Sequence, residues 1–277
     1  MWIKTRIERQ TRRLAKQAKQ YSYDKLFDRS ERRFVFVAGL QRSGTNMVMD
    51  LFDKSWDTEV YREGDSRVFD DFLMKDVETV RRYVCRSPAK CVVIKALEEG
   101  HKLRELMATF QPAQCVWMFR HYDDMVNSNV KKWPNGRNQI DDIVKDPDSG
   151  GWRGAGMTDE TLEIVRRHYR PDMNNASAIG LFWYYRNRLL FDQGLDRDEA
   201  CAVISYESLV RDPRRYALFL ADWCGIEARP AMHDFIFASS IKRDDTPPIE
   251  APIRALCDEM YDRLLAVYHR RFPDQTV

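Results

Sequence analysis

A strand, a glycine-bracketed turn and a helix follow one another near the start of the chain, and this segment constrains the fold most. The apolar run FVFVAGL (34–40) is rich in β-branched and aromatic residues, which is typical of a buried strand. Apolar residues recur on one side of residues 44–54, which predicts a helix. Between them, Gly39 and Gly44 allow the backbone to curl so that successive N–H groups point inward. The helix N-terminus adds partial positive charge, so we expect a turn that binds phosphate or sulfate.

Three more short apolar runs predict further strands, and helical patterns separate them. Strands that alternate with helices form parallel sheets covered on both faces. We therefore expect an α/β fold, a three-layer sandwich with a central parallel sheet and a P-loop-like phosphate-binding turn. The further runs are CVVIK (91–95), QCVWMF (114–119) and CAVISY (201–206). Ligands of such sheets bind beyond the carboxyl ends of the strands. The residues expected at that edge are Gly39–Asn46, Lys95, Arg120 and Tyr206.

The basic charge of the chain is concentrated in its first residues. The whole chain carries 45 Lys and Arg against 43 Asp and Glu, a balance that argues against a nucleic-acid clamp. Residues 1–33 alone carry 11 basic and 4 acidic side chains. We expect them to form a basic helical arm that packs on the body, with peripheral contact to an anionic membrane or a partner subunit as alternatives. The predicted helix of the arm, residues 3–20, has no aromatic residues between its basic side chains, which argues against nucleic-acid binding.

Residues 134–158 are rich in Gly, Asp and Pro and show little periodicity. We expect an excursion from the core there, because functional loops often take this form. The chain has no internal repeats and no low-complexity segment. We therefore expect one α/β domain over residues 34–277, with the excursion at about 134–175. The sequence leaves the oligomeric state open.

Six cysteines are spread through the chain without a C-x-x-C pair. Three lie in predicted strands, which is typical of buried free thiols in a reducing compartment. No apolar run approaches the roughly 20 residues of a membrane span, and the N-terminus lacks the apolar core of a signal peptide. We therefore expect a cytoplasmic protein.

The turn departs from the nucleotide-triphosphatase loop at the residues that handle phosphate and magnesium. The spacing from Gly39 to Gly44 fits G-x-x-x-x-G-K-[ST], but Thr45 replaces the lysine and Asn46 replaces the hydroxyl residue. None of the later predicted strands ends in an aspartate that would hold the metal. We expect the turn to work without a metal ion, with Arg42 and residues at other strand ends supplying positive charge.

A second set of residues fits another phosphate group. Arg120 follows a predicted strand, and Ser128 lies eight residues later on the next predicted helix, so its hydroxyl can face the strand end. An arginine fork and a hydroxyl make a good phosphate receptor. The alternative is that Arg120 makes an ordinary surface ion pair with Asp123 or Asp124.

Together, these two patterns resemble the sulfotransferases that use 3′-phosphoadenosine 5′-phosphosulfate (PAPS). In that family an [RK]-S-G-T-[TNS] loop holds the 5′-phosphosulfate, and Arg42–Asn46 read R-S-G-T-N. An arginine at the end of a later strand and a serine eight residues on hold the 3′-phosphate, as Arg120 and Ser128 would here. The resemblance covers roughly residues 34–223. It implies PAPS as donor, 3′-phosphoadenosine 5′-phosphate (PAP) as product and no metal.

The resemblance also assigns residues outside these two patterns. VISYESLVRDP (203–213) is similar to the family segment after the last core strand, which implies a structural or adenine-side role for Tyr206. ASSIKRDDTPP (238–248) is less closely similar to the basic loop that closes the 3′-phosphate pocket. The residues implied in donor binding are Gly39, Gln41, Arg42, Ser43, Gly44, Thr45, Asn46, Arg120, Ser128, Tyr206, Lys242 and Arg243.

Arg42 and Lys95 are the cations expected to act on the transferring group. Sulfonyl transfer resembles phosphoryl transfer, an in-line displacement in which charge spreads over equatorial oxygens. The protein's task is positioning and preorganised cationic stabilisation. By resemblance, Arg42 stabilises the bridging and leaving oxygens, and Lys95, at the end of its strand, contacts the sulfonyl group.

The general base has two candidates in the sequence. Many small-molecule members of the family place a histidine two residues after the strand-end lysine, but that position here is Leu97. Other members use a glutamate after the first helix, and the similar segment YREGDSRVF offers Glu63 and Asp65. The sequence leaves the choice between these acids open, with His101 and His121 as further alternatives.

We therefore expect a sulfotransferase that moves a sulfonyl group from PAPS to a hydroxyl of a sugar, a lipid or another small molecule. The expected partner is a hydroxyl-bearing small molecule or a glycan, bound on the side of the excursion, where Trp152 and Arg153 lie. One alternative is a P-loop nucleotide kinase. The other is a non-catalytic nucleotide- or anion-binding module, which Leu97 favours because the usual histidine is missing.

Overall fold

A five-stranded parallel sheet forms the centre of the computed structural model, which describes residues 11, 14–16, 18–22, 31–133, 138–237, 246–275 and 277. The described strands, in chain order and including two outside this sheet, are β1 (Arg33–Gly39), β2 (Thr58–Tyr61), β3 (Phe69–Asp70), β4 (Leu73–Met74), β5 (Cys91–Lys95), β6 (Ala113–Phe119) and β7 (Cys201–Ser205). The order across the main sheet is β2-β5-β1-β6-β7, and all four pairings are parallel. β3 and β4 form a separate antiparallel hairpin. The predicted α/β class with a central parallel sheet is confirmed.

The strand register brings the carboxyl ends of the central strands to one edge of the sheet. The paired residues at that edge are Val37 with Lys95, Gly39 with Met118, and Phe119 with Ser205. Arg120 and Tyr206 come directly after the last two of these strands. The fold therefore places the candidate residues that follow different strands within reach of each other.

Helices flank this sheet. They are α1 (Thr45–Lys54), α2 (Val77–Val84), α3 (Leu103–Thr109), α4 (Tyr122–Lys132), α5 (Asn138–Lys145), α6 (Asp159–His168), α7 (Asn175–Asp192), α8 (Tyr206–Arg211), α9 (Pro213–Trp223) and α10 (Ala251–Arg271). α7 is buried along most of its length, because α4, α6 and α10 all pack against it. Within the described ranges, each helix is too short or too polar to cross a lipid bilayer.

The excursion contains more regular structure than its sequence predicts. Residues 134–158 were expected to be irregular, but they include α5 and a 3₁₀ turn at Gly151–Arg153. Ile140 and Ile143 of α5 are fully buried in the hydrophobic core. Two apolar residues three positions apart are too short a pattern to stand out among Gly, Asp and Pro, so packing on the body determines this helix.

The described residues of the N-terminal arm up to position 22 are helical and are bonded to the body, whereas its last residue, Arg33, already belongs to β1. The helical residues are 11, 14–16 and 18–22. The Lys16 ammonium donates to the carbonyl oxygen of Asp53 at 3.1 Å and to the Thr58 hydroxyl at 3.2 Å. The Gln20 amide donates to the carbonyl oxygens of Trp56 and Thr58 at 3.1 and 3.0 Å. Part of the arm's polar surface is thus used to hold it at the start of β2.

The turn between β3 and β4 holds two ordinary residues in the left-handed region. Asp71 and Phe72 have φ values of 44° and 69°. Two-residue hairpin turns of this hand favour Asn-Gly, because a side chain in this region crowds the backbone. The Phe72 side chain is 58% exposed, so little burial offsets the strain.

We expect the double substitution Asp71→Asn with Phe72→Gly to raise the free energy of unfolding by about 1 kcal/mol, since left-handed backbone costs about 1–2 kcal/mol per ordinary residue. Urea denaturation of both proteins measures the change. Leu73→Gly is the control: it lies in the strand next to the turn, outside the left-handed region, and should lower stability. A loss of stability in the double variant would contradict the strain at Phe72.

Candidate active site

The turn after β1 depends on two glycines that no other residue can replace. Gly39 has a φ of 132°, and a Cβ placed there would lie 2.2 Å from the carbonyl oxygen of Met118. Gly44 has a φ of 93°, and a Cβ there would lie 2.5 Å from the ring of Tyr206. Gly44 is the N-cap of α1, and no side chain caps the helix. The first N–H groups of α1 are therefore directed at the turn without side-chain competition, as an anion site needs.

The two sets of phosphate-binding candidates contact each other. Arg42 Nε donates a hydrogen bond of 2.9 Å to the Ser128 hydroxyl on α4. Arg120 Nη1 lies 3.4 Å from the carbonyl oxygen of Arg42, and the Arg120 guanidinium packs 4.3 Å from the ring centre of Tyr206. Arg120 also pairs with Asp124 at 3.4 Å, so the ordinary ion pair that the sequence allowed is present as well. The cations of the two predicted sites thus form one continuous surface.

Two buried contacts fix the backbone around Arg120. The indole nitrogen of Trp183 donates to the Arg120 carbonyl oxygen at 3.1 Å. The next amide, of His121, donates to the fully buried carboxylate of Glu207 at 3.0 Å, and the Ser205 hydroxyl donates to the same carboxylate at 2.9 Å. Glu207 therefore joins the ends of β6 and β7, which holds Arg120 and Tyr206 side by side.

The strand-end lysine is buried and bonded on both sides. The Lys95 side chain is 3% exposed, and its ammonium lies 2.5 Å from the Glu63 carboxylate and 2.9 Å from the Asn46 amide oxygen. A buried ammonium is expensive unless it is paired and hydrogen-bonded, and these two contacts meet that need. Asn46 belongs to the first turn of α1, so Lys95 and Glu63 lie against the phosphate turn.

The two acids that the sequence could not separate lie in different surroundings. Asp65 accepts two hydrogen bonds from the Arg67 guanidinium, at 2.6 and 2.9 Å, and a third from the Arg67 amide at 3.1 Å. Arg67 also pairs with Glu59 at 3.2 Å and packs on the ring of Tyr61. Asp65 thus belongs to a network beside β2, whereas Glu63 contacts the lysine of the candidate site.

The other donor-binding candidates are placed as follows. Ser43 and Thr45 are buried within the turn, and Gln41 is half-buried. The Ser43 hydroxyl is buried and has no hydrogen-bond partner among the described residues. Lys242 and Arg243 lie outside the described residues.

Leu97, which stands where many family members have a histidine, and the two alternative bases, His101 and His121, all make contacts within the fold. Leu97 is buried, and its carbonyl oxygen accepts from Arg186 at 3.4 Å. His101 lies under Gly156, and burial, with Arg186 and Lys102 nearby, lowers its pKa to about 4. His121 caps α4 by accepting the amide of Asp123 at 3.2 Å. We therefore assign neither histidine to proton transfer.

Glu98 is a residue near this site that the sequence patterns missed. It follows Lys95 by three positions and is half-buried. Burial, with Glu99 and Glu63 close by, raises its pKa to about 7, although Arg153 and Arg186 oppose the shift. Its position three residues after the strand-end lysine indicates that it lies near the candidate site. Its proximity to Glu63, however, depends on the fold and could not be predicted from the sequence.

Arg186 of α7 supports the segment that carries Glu98. It is 2% exposed, and its Nη1 donates to the carbonyl oxygen of Trp152 at 3.0 Å. Its bonds to Leu97 and Trp152 join the end of β5 to the 3₁₀ turn of the excursion. The excursion is therefore attached next to the candidate site. Among the described residues, no group of three or more acidic, histidine or cysteine side chains is arranged to hold a metal ion.

Comparison with solved structures shows that the chain has the fold of sulfotransferases. A sulfotransferase from Alicyclobacillus acidocaldarius matches with a TM-score of 0.50 and 16% identity, over 85% of this chain and 95% of that one. The sulfotransferase domain from the curacin biosynthetic pathway matches with a TM-score of 0.51 and 13% identity, over 83% of this chain and 98% of that one. No family model matches the sequence, and no curated protein matches it either.

We expect Glu98→Gln to stabilise the protein at pH 8 and to have little effect at pH 5. An acid whose folded-state pKa is raised binds more protons in the folded than in the unfolded state. Its contribution to stability therefore falls as the pH rises from 4.5, the ordinary pKa of a glutamate, to about 7, the raised pKa of Glu98. Glutamine has the same shape without the charge. Because the side chain is only partly buried, solvent screens the charge, and we expect a gain in Tm of only about 2–4 °C at pH 8.

Thermal unfolding of both proteins between pH 5 and pH 8 measures this difference. Glu105→Gln, an exposed acid on α3, is the control and should show no pH-dependent gain. A Glu98→Gln gain of equal size at pH 5 and pH 8 would rule out a raised pKa as its cause.

Proposed function

We propose that the protein is a sulfotransferase that moves a sulfonyl group from PAPS to the hydroxyl of an acceptor. The observation that carries this proposal is the 2.9 Å contact between Arg42 and Ser128, which joins the two anion-binding patterns. PAPS carries anionic groups at both its 5′ and 3′ positions. A single surface with cations for both fits that donor better than it fits a nucleotide with one phosphate chain.

The residues at the turn fit the donor's 5′-phosphosulfate. The N-terminus of α1, the backbone of residues 39–44 and the orphaned Ser43 hydroxyl would hold its oxygens. Arg120 and Ser128 would hold the 3′-phosphate, and Tyr206 supports the arginine by packing on it. Thr45 and Asn46 fill the positions of the lysine and hydroxyl that a magnesium nucleotide requires, so we propose a metal-free donor site.

Lys95 and Glu63 would carry the chemistry. When bound, PAPS supplies an activated sulfonyl group: its S–O bond to the phosphate breaks as the acceptor oxygen bonds to sulfur. Lys95, held by Asn46 and Glu63, would stabilise the charge on the sulfonyl oxygens, and Arg42 the charge on the leaving phosphate. The acceptor's proton would pass to a carboxylate. We propose Glu63 for this role over Asp65, because the partner of Glu63 is Lys95, which lies against the phosphate turn, whereas Asp65 pairs with Arg67 beside β2.

The other two functions that the sequence allows have less support. A nucleotide kinase needs a phosphate-reaching lysine in the turn, where Thr45 stands. A non-catalytic module was favoured by Leu97, but Glu63 offers a carboxylate base in place of the missing histidine. The described free cysteines are buried except for Cys85, which suits a reducing compartment, so we propose the cytoplasm. We propose a single catalytic domain over residues 34–277, with the reacting hydroxyl of the acceptor bound on the side of the excursion.

We expect the protein to bind PAP equally well with and without magnesium, and more tightly than ATP. Arg42→Ala and Arg120→Ala should each weaken PAP binding about 10- to 100-fold, the effect of losing charge-assisted hydrogen bonds. Isothermal titration calorimetry measures these affinities. Arg167→Ala is the matched control, because that arginine pairs with Glu163 on the exposed face of α6. A magnesium requirement or a preference for ATP would refute the proposed donor.

We expect Glu63→Gln to retain PAP binding and to lower sulfonyl transfer about 10²- to 10⁴-fold, since the base acts only in the chemical step. The assay follows transfer of labelled sulfate from PAPS to a panel of hydroxyl acceptors. Asp65→Asn tests the other acid. If Asp65→Asn removes transfer and Glu63→Gln does not, the assignment of the two acids is reversed.

A further inference from the structure

A cleft of about 940 Å³ lies beside the edge strand β2, outside the donor site. One wall is β2 itself, and another is the face of α1 that carries Asp50 and Asp53. Tyr83 and Arg86, at the end of α2, line a third side. The N-terminal helix completes the cleft with Lys16, Gln20 and Tyr21. A cleft of this size is in the range of ligand sites in proteins.

The cleft adjoins the candidate catalytic residues across one short segment. Arg62, Asp65 and Arg67 line the cleft, and Glu63 in the same segment contacts Lys95. Only the segment that carries Arg62, Glu63 and Asp65 would therefore separate a molecule in the cleft from the candidate site. This places the cleft where the remainder of a long acceptor would extend.

The charges that line the cleft are largely paired with one another. Arg62 pairs with Asp50 at 2.7 Å, and Arg67 pairs with both Asp65 and Glu59. Lys16 lies 3.9 Å from the carboxylate of Asp53, in addition to its hydrogen bonds. A highly charged ligand would have to break such pairs, whereas a neutral ligand with many hydroxyls can bond to both members.

Two exposed aromatic rings stand at this cleft. Tyr83 is 43% exposed and Tyr21 is 69% exposed. Aromatic faces offer large, rigid contact surfaces to the C–H faces of sugar rings. An extended peptide is disfavoured, because strand addition needs free backbone groups along the sheet edge. The carbonyl oxygen of Thr58 in β2 is already bonded to Gln20.

We propose that this cleft binds a neutral oligosaccharide chain and that the N-terminal helix is one of its walls. The proposal deepens the proposed function and rests on it in one respect: the bound chain is taken to be the part of the acceptor that extends beyond its reacting hydroxyl. It gives the docked arm a role in acceptor recognition.

The test is binding of neutral oligosaccharides to the full-length protein saturated with PAP. A glycan array of neutral and sulfated chains identifies the best neutral binder, and calorimetry then gives its affinity. We expect Tyr83→Ala and Tyr21→Ala each to weaken binding at least fivefold, while Tyr83→Phe keeps most of it because the ring remains. Trp133→Ala is the control, since this exposed aromatic residue lies outside the cleft.

Three results would overturn the proposal: no binding of any neutral glycan while PAP still binds, a preference for sulfated glycans or peptides, or unchanged affinity in both tyrosine variants. Circular dichroism of each variant separates lost binding from lost folding. Failure of the proposed function has a different signature, because PAP would not bind while the neutral glycan still would. Retained glycan affinity that depends on Tyr83 supports the cleft in either case.

Discussion

The ion pair between Lys95 and Glu63 joins three parts of the molecule. Lys95 ends a central strand, Glu63 follows the edge strand, and Asn46, which also bonds to the ammonium, begins the helix after the phosphate turn. Breaking a buried pair by removing one partner typically costs about 3–5 kcal/mol, because the other charge is left uncompensated. This contact fixes the positions of Lys95 and Glu63 relative to the first turn of α1. The same ion pair would then serve both folding and the proposed chemistry.

Close backbone approach at the turn is the second constraint. Gly44 lies so near the Tyr206 ring that a single methyl group would collide with it, and Tyr206 in turn supports Arg120. Arg42 adopts a φ of 71°, a conformation that costs energy for any residue with a side chain. The backbone is therefore strained at Arg42, the residue whose side chain links the two anion-binding patterns. Such strain is commonly retained where it orients a functional group.

The sequence predicted the fold well because most sheet strands are continuous apolar runs. β2 was missed because it has only four residues, TEVY, of which the first two are polar, so it does not form an apolar run. That the turn residues and Arg120 lie at one edge of the sheet could be predicted from the positions of the strands in the sequence. The choice between Glu63 and Asp65 could not, because it depends on whether Lys95 or Arg67 is the neighbour. Glu98 was missed for the same reason: its environment is built by α7 and the excursion, which are distant in the sequence.

The contact between Gln20 and Thr58 also affects how the protein behaves in solution. β2 is the edge of the sheet, and an uncovered edge offers its backbone groups to any other strand. The arm helix occupies part of that edge and binds its first carbonyl oxygen. A chain that lost this helix would keep the residues of the candidate site but would leave more of this sheet edge uncovered. Intermolecular strand pairing, and with it aggregation, would then compete with native folding.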